Sequence, residues 1–498
     1  MKDIPKNRVA VYRAPKGTYP SVAPFHPSER YPEYPFEQVS AEPNFAYEAV
    51  RGALQLARLD AGRFGTASWN PLADIISAGD NRDGGDMVVI KPNMVRDFHE
   101  EVQRGTLALI SHASVVRAVV DYVYIALGRK GRVVIADSPQ NDADWEGLWR
   151  EFHFDELLAF YKDAAPEFVM DIYDVRKEAV VSRNGVVIKR YQRPGDPLGY
   201  STINLGESSE FEGVPERFGK FYGSEYDVSQ TNAHHQSARH EYNIANTFLK
   251  ADVIINVPKL KTHKKSGITA WIKSVIGICG DKNWLPHHTQ GTPDAGGDQF
   301  ADDSIKRKTE RRLTAGVKSV VKHTGTAGAL VGGLLRRSGT HVFGDTNKDA
   351  IRSGNWHGND TIWRTVLDLH KCWIHADKSG VLKSTPQRKF ICIVDAVVAG
   401  EGNGPLAPDP KPAGLCVVGF DPIATDTTCA VLMGFDPDKL PILTRAKTTK
   451  RFSLETVARE EIEVTSNVEC WNGSVTEITD TLQFKPHFGW KDHVERFP

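Results

Sequence analysis

Short apolar runs separated by polar turns organise this chain. MVVI (87–90), RVVIAD (132–137), VIINV (253–257), FICIVDAVVAG (390–400) and LCVVGF (415–420) are dominated by Val, Ile and small apolar residues. Continuous apolar runs of this kind predict strands buried on both faces rather than half-exposed ones. Between the first two lies an apolar stretch from Val115 to Leu127, helical in spacing, with Gly128 as its stop. Strand, helix and strand in that order predict a parallel βαβ unit. A helix is expected from about Phe45 to Leu59, and another from Pro422 with Asp421 as N-cap. The expected fold class is α/β: an open, mostly parallel sheet of βαβ units with an inserted β-hairpin element and a basic helical insertion.

The polar stretches divide the chain. Residues 1–84 read as an N-terminal arm, rich in Pro, Tyr and Glu over 13–42, followed by a helix. Residues 85–300 read as an α/β core interrupted at about 140–245 by a β element, where Asn184-Gly185 within VVSRNGVVIKRY is a two-residue hairpin turn. Residues 301–350 read as the basic helical insertion; between 304 and 338 nine Lys or Arg face the single acid Glu310. Residues 351–498 form a second α/β part and a C-terminal tail.

Composition narrows the function classes. A net charge of −1 over 498 residues gives no global attraction to nucleic acid or membrane. The six cysteines are scattered without a C-x-x-C pair, so neither a zinc ribbon nor an iron–sulfur cluster is expected. No signal-peptide core and no membrane-length apolar run occurs, which predicts a soluble, cytoplasmic protein. The P-loop, the nucleophile elbow and H-E-x-x-H are all missing.

Candidate chemistry concentrates in ADVIINVPKLKTHKKSGITAWIKSVIGICGDKNW (251–284), where Lys259, Lys261, His263, Lys264 and Lys265 follow a buried strand and Lys273 comes next. Apolar residues at 268, 271, 272, 275 and 276 predict a helix from about Ser266, with Lys265, Thr269 and Lys273 on another face. Its N-terminal amides together with Lys264 and Lys265 would bind an anion. Lys91 and Asn93, just past the first strand, join the expected substrate-binding set. His263 or Lys273 would act as base, because like charge and burial lower both pKa values. Asp395 and Glu401, in the stretch 394–414 that reads as a Gly-rich acidic loop, would orient a cation or a partner acid. Asn355, Trp356 and Asn359 have the composition of a sugar platform. His287, His288 and Asp426 are candidate ligands for a divalent metal. The basic stretch 304–338 could touch anionic lipid, and its few aromatics disfavour nucleic acid.

VVIKPNMV, the run from 252 to 277 and VDAVVAGEGNGPLAPDPKPAGLCVVGFDPIATD together resemble the domain-of-unknown-function 362 family over roughly residues 85–435. KNWLPHH, GGDQF and SGNWHGNDTIWR resemble its long-chain branch, whose members often occur near polysaccharide genes. That resemblance implies an α/β fold and a cytoplasmic setting. A more distant likeness is to the nickel-pincer lactate racemase family. Lys273 of GITAWIK would match its cofactor-anchoring lysine and His263 a ligand or base, with Ala270 and Trp271 standing where that family has glycines. The leading expectation is a cytoplasmic enzyme acting on a small anionic, sugar-linked substrate by lysine and histidine acid–base chemistry. One alternative is a non-catalytic binder of an anionic glycan precursor, peripheral to the inner face of the membrane. The other is a metal-cofactor racemase, epimerase or oxidoreductase.

Overall fold

The structure, a computed structural model, describes residues 5–78, 86–183, 186–223, 227–302, 350–449, 451–452, 454 and 457–496. Asn184-Gly185, the basic stretch 304–338 and the membrane contact expected of it lie outside these residues. Among the described residues no helix is long and apolar enough to cross a membrane.

An eleven-stranded sheet forms the frame. Its first members are β1 (Arg8–Arg13), β2 (Val88–Pro92), β3 (Gly131–Asp137) and β4 (Phe168–Asp174). Then come β5 (Glu178–Arg183) and β6 (Val186–Gln192), a separate hairpin, and β7 (Tyr200–Asn204). Two short strands, β8 (Phe221–Tyr222) and β9 (His235–Gln236), precede β10 (Arg239–Ala245). The centre is built from β11 (Val253–Val257), β12 (Lys259–His263) and β13 (Gly267–Thr269). After β14 (His288–Thr289) come the two longest strands, β15 (Lys389–Asn403) and β16 (Ala407–Gly419), then β17 (Glu463–Ser466) and β18 (Gly473–Ser474). The main sheet runs β18-β17-β1-β16-β15-β11-β2-β3-β4, with β12 and β13 attached beside β15. The stretch from β15 to β4 is parallel throughout, so the mostly parallel α/β expectation holds.

Pleating explains why both faces of this sheet are apolar. On β2, Val88 and Ile90 point to one layer and Val89 to the other; Val253 and Ile255 alternate with Ile254 on β11 in the same way. The first layer packs on α1 (Phe45–Leu56) and α2 (Ala113–Ala126). The second packs on α7 (Trp271–Ser274), α8 (Ile362–His375) and α9 (Pro422–Met433); five shorter described helices, α3 (Trp145–Glu151), α4 (Phe154–Ala164), α5 (Val228–Ala233), α6 (Asn246–Lys250) and α10 (Pro441–Thr444), complete the set. Each Val or Ile buried in this way contributes roughly 1.5–3 kcal/mol. The expected cap at Asp421 is present, its Oδ1 accepting from the amides of Ile423 and Ala424, and α1 is capped by Asn44, whose Oδ1 accepts from Tyr47 N.

Two expectations are corrected. The Gly-rich stretch 394–414 is not a loop: β15 and β16 stay paired out to Asn403 and Ala407. Pro408, Pro410 and Pro412 recur every second residue, so their missing N–H groups fall on one edge of β16, beyond the part that β1 covers. The helix expected from Ser266 is mostly a hairpin. Thr262 pairs with Ile268 and His263 with Gly267, which takes φ +80° to leave the turn. The remaining α-helix is the single turn α7.

Candidate functional site

The carboxyl ends of neighbouring β11, β2 and β3 converge, which is where an open α/β sheet holds a ligand. β2 delivers Lys91 and, just beyond it, Asn93; β3 delivers Asp137 and then Ser138. After β11, Pro258 restarts the chain as β12, which brings Lys261 and His263 to the same site; the register shifts between Lys259 and Lys261. Lys264 and Lys265 sit in the turn to β13, and Lys273 on α7.

These elements wall a cleft of about 830 Å³, counting its open mouth. Lys91, Lys261, Lys264, Lys265, Lys273 and Lys282 line it, with Asp137 as the only acid among the described residues of its wall. Five of the six lysines are buried, and Lys264 is half-buried. Lys91 meets Asp137 at 2.8 Å, and Asp137 also accepts from Met94 N at 2.8 Å, fixing the loop after β2. Gly277 permits that approach, since a Cβ there would lie 1.9 Å from Asp137 Oδ1. Lys261 donates to the carbonyl of Leu109, Lys265 to that of Ser353, and Lys282 to that of Ile276 at 2.9 Å. Lys264 is also partnered. Lys273 alone of the six makes no hydrogen bond or ion pair among the described residues.

Burial and crowding lower the lysine pKa values. Burial, then the charges of Lys282 and Lys91, bring Lys273 down to about 7. Burial and Lys264 bring Lys265 to about 7 against the pull of Asp298. Burial brings Lys282 to about 8 and Lys261 well below the usual lysine range.

His263 is neutral, its pKa lowered well below 6.5 by burial and by the lysines around it. Its Nδ1 accepts from the amides of Lys265 and Ser266 at 3.0 and 3.2 Å. That places the ring proton on Nε2. His263 is therefore a hydrogen-bond donor, and the expectation that it serves as base or metal ligand is corrected: either role needs a free lone pair, and Nε2 carries the proton while Nδ1 is engaged by two amides. His287 also lines the cleft, held near pKa 3 by burial, with Nδ1 donating to Leu285 O at 2.8 Å. Ser138 Oγ, Gln140 Oε1 and Thr269 Oγ1 line the same wall without a hydrogen-bond partner among the described residues. Ser138 and Thr269 are only 4% exposed, so these are donors and acceptors held ready inside the cleft.

Several expected residues lie elsewhere. Lys259 points away into a buried network in which its Nζ meets Asp395 at 2.7 Å and Tyr19 Oη at 2.6 Å. Asp395 also accepts from Tyr19 Oη and His112 N, tying the N-terminal arm and α2 to the sheet. The pairing of Asp395 with a lysine of the cluster is as expected, but outside the cleft. Glu401 accepts from Lys485 N at 3.0 Å and meets Lys411 at 3.2 Å, also outside. Asn355, Trp356 and Asn359 hold a turn: Asn355 bonds Arg352 N and Ala350 O, Trp356 Nε1 bonds Asp298 O, and Asn359 bonds the carbonyls of His287 and Gly354. None of the three lines the cleft.

The metal set does not assemble. Asp426 accepts from the amides of Trp271 and Ile272 at 2.8 and 2.9 Å, and His288 stacks on Tyr222. Among the described residues no three His, Cys, Asp or Glu side chains gather as a metal site. Asp426 thus occupies the first two amides of α7, and burial lifts its carboxyl to about 7. Asp137, Ser138, Gln140 and Lys282 were missed as site residues. The end of the RVVIAD strand was the available signal for the first two, because its neighbour β2 ends in the lysine already singled out.

Fold and site define a mostly parallel α/β protein with a lysine-walled cleft at the carboxyl ends of its central strands. A family model described as "Domain of unknown function (DUF362)" matches residues 166–431, just over half of the chain. The chain belongs to that family. The match takes in β11 to β13, α7 and Lys282, whereas Lys91 and Asp137 come before it. No curated protein matches. Among solved structures, a Thermotoga maritima protein matches at 8% identity and a TM-score of 0.26, over 65% of this chain and 48% of that one. This chain thus spans about half the length of that protein.

Proposed function

We propose that this protein is an enzyme for a small anionic substrate carrying hydroxyl groups, sugar-linked in class, and that Lys273 moves a proton at a carbon beside a carbonyl or hydroxyl. The observation that carries this reading is the Lys273 amine, without a partner among the described residues, within a wall of five other lysines. Such a wall attracts an anion and repels a bare cation. An amine with a pKa of about 7 is poised between base and acid at neutral pH. His263 Nε2–H can donate to an oxyanion forming next to that carbon. The open hydroxyls of Ser138 and Thr269 suit the hydroxyl end of the substrate.

The test is deuterium incorporation from heavy water into a panel of sugar phosphates and hydroxy acids, followed by NMR. Incorporation by the wild type that is lost in Lys273→Met supports the reading. If no member of the panel, nor pyrophosphate, raises the melting temperature, the anion-binding reading is overturned.

A further inference from the structure

This inference rests on the anion-binding part of that reading and goes beyond it, giving Lys273 covalent capture in place of proton transfer. We propose that Lys273 is a covalent nucleophile whose amine condenses with the aldehyde or ketone carbonyl of an anionic ligand, so that the substrate class is an anionic carbonyl compound held as an imine.

The geometry separates Lys273 from its neighbours. Lys91, Lys261, Lys265 and Lys282 each spend their ammonium group on a carboxylate or a backbone carbonyl, as donors must. Lys273 has no such acceptor among the described residues, is 7% exposed, and opens onto the cleft. A buried ammonium with nothing to donate to is costly. Its neutral form is not, and the neutral amine is the nucleophile. Lys273 also stands on a fixed support. α7 is pinned at its first two amides by Asp426, and the adjacent Ser274 Oγ is engaged with Asn256 and with Trp271 O.

The chemistry balances within the cleft. The Lys273 nitrogen lone pair attacks the carbonyl carbon, and the C=O π electrons move to oxygen, which accepts a hydrogen bond from His263 Nε2–H. Transfer of the nitrogen's proton to that oxygen gives the carbinolamine. Lys282, whose charge is the one that acts most strongly on Lys273, supplies a proton to the hydroxyl. The C–O bond then breaks, water leaves, and the nitrogen lone pair forms C=N. The resulting iminium keeps one positive charge next to the ligand's anionic group, and nothing is oxidised or reduced.

The test uses the full chain with pyridoxal 5′-phosphate as a reporter aldehyde carrying a phosphate, trapped by borohydride and mapped by peptide mass spectrometry. The adduct is expected at Lys273, formed on the order of a hundredfold faster than at surface lysines because so much more of this amine is neutral at pH 7. Excess inorganic pyrophosphate blocks it, and Lys273→Arg and Lys273→Met abolish it while keeping the wild-type circular dichroism. Pyrophosphate binding, read by calorimetry, is measured in parallel. If pyrophosphate binds but labelling at Lys273 is no faster than at surface lysines, the imine inference is overturned and the anion site stands. If pyrophosphate does not bind either, both fail.

Discussion

A buried ammonium group must have acceptors, or lose its proton. The cleft lysines show both outcomes. Lys91 has its acceptor in Asp137 at 2.8 Å, each less than a tenth exposed. Removing one member of such a pair strands the other, so Lys91→Met should cost about 3–5 kcal/mol in urea denaturation. The double change Lys91→Met with Asp137→Asn should recover most of that loss; equal midpoints for the single variant and wild type would show that the pair is not buried in solution. Lys273 takes the other course, and Lys282 is its strongest charged neighbour. Lys282→Met should therefore raise the Lys273 pKa above about 7 and move the pH profile of its labelling upward, as read by mass spectrometry from pH 6 to 10. An unmoved profile would mean that the two ammonium groups do not interact. The crowding of these lysines was legible in the sequence because it is a matter of spacing around one strand end. The role of His263 was not, because its tautomer is set by two amides in a turn whose path only the fold supplies.

Elements carry a second lesson about the same segment. Apolar positions at 268, 271, 272, 275 and 276 fit a helix, yet residues 267–269 form a strand and only 271–274 an α-turn. A hairpin wins because Lys261 can pair with both Thr269 and Gly400, extending the central sheet, which a helix starting at Ser266 could not do. Lys265, Thr269 and Lys273 do line one wall, but through a hairpin and a turn rather than one helical face. The regular strands and α2 were readable because burial on both sides leaves unbroken apolar runs; the far half of β15 and β16 was not, since Gly and Pro hide an edge strand. α7 is too short to stand alone, and Asp426 holds its first amides. Asp426→Ala should cost about 1–2 kcal/mol as a lost cap and should slow Lys273 labelling as well. Asp426→Asn, which keeps one of the two acceptor oxygens and mimics the uncharged carboxyl, should lie closer to wild type below pH 7 than above it. If the Ala variant labels at the wild-type rate, Asp426 does not position Lys273.

For the whole molecule, the cleft sets opposite pH trends for stability and for ligand binding. Lys273 and Lys265 titrate at about 7 and Lys282 at about 8 when folded, against about 10.4 when unfolded. Between those values the unfolded chain binds more protons, so stability rises with pH, by up to about 1.4 kcal/mol per unit for each group. The buried histidines act in the same direction lower down. His287 and His235 titrate at about 3 and His370 at about 4 when folded, so acid drains stability as pH falls from about 6.5 towards 4. Asp426, raised to about 7, opposes them only below that pH. Above about 10 the trend reverses, because the buried Tyr47, Tyr122, Tyr161 and Tyr242 stay protonated while the unfolded chain ionises. The ligand-free protein should therefore have a higher urea midpoint at pH 9 than at pH 7. Affinity for pyrophosphate, measured by calorimetry in the same buffers, should fall over that interval, since Lys273 and Lys265 lose the charge that holds the anion. The two curves must cross for one physical reason: protons that a bound anion would draw into the cleft are the protons that folding expels. A midpoint that stays level or drops from pH 7 to 9 would mean that these amines remain charged in the folded state, and the neutral nucleophile at Lys273 would go with them.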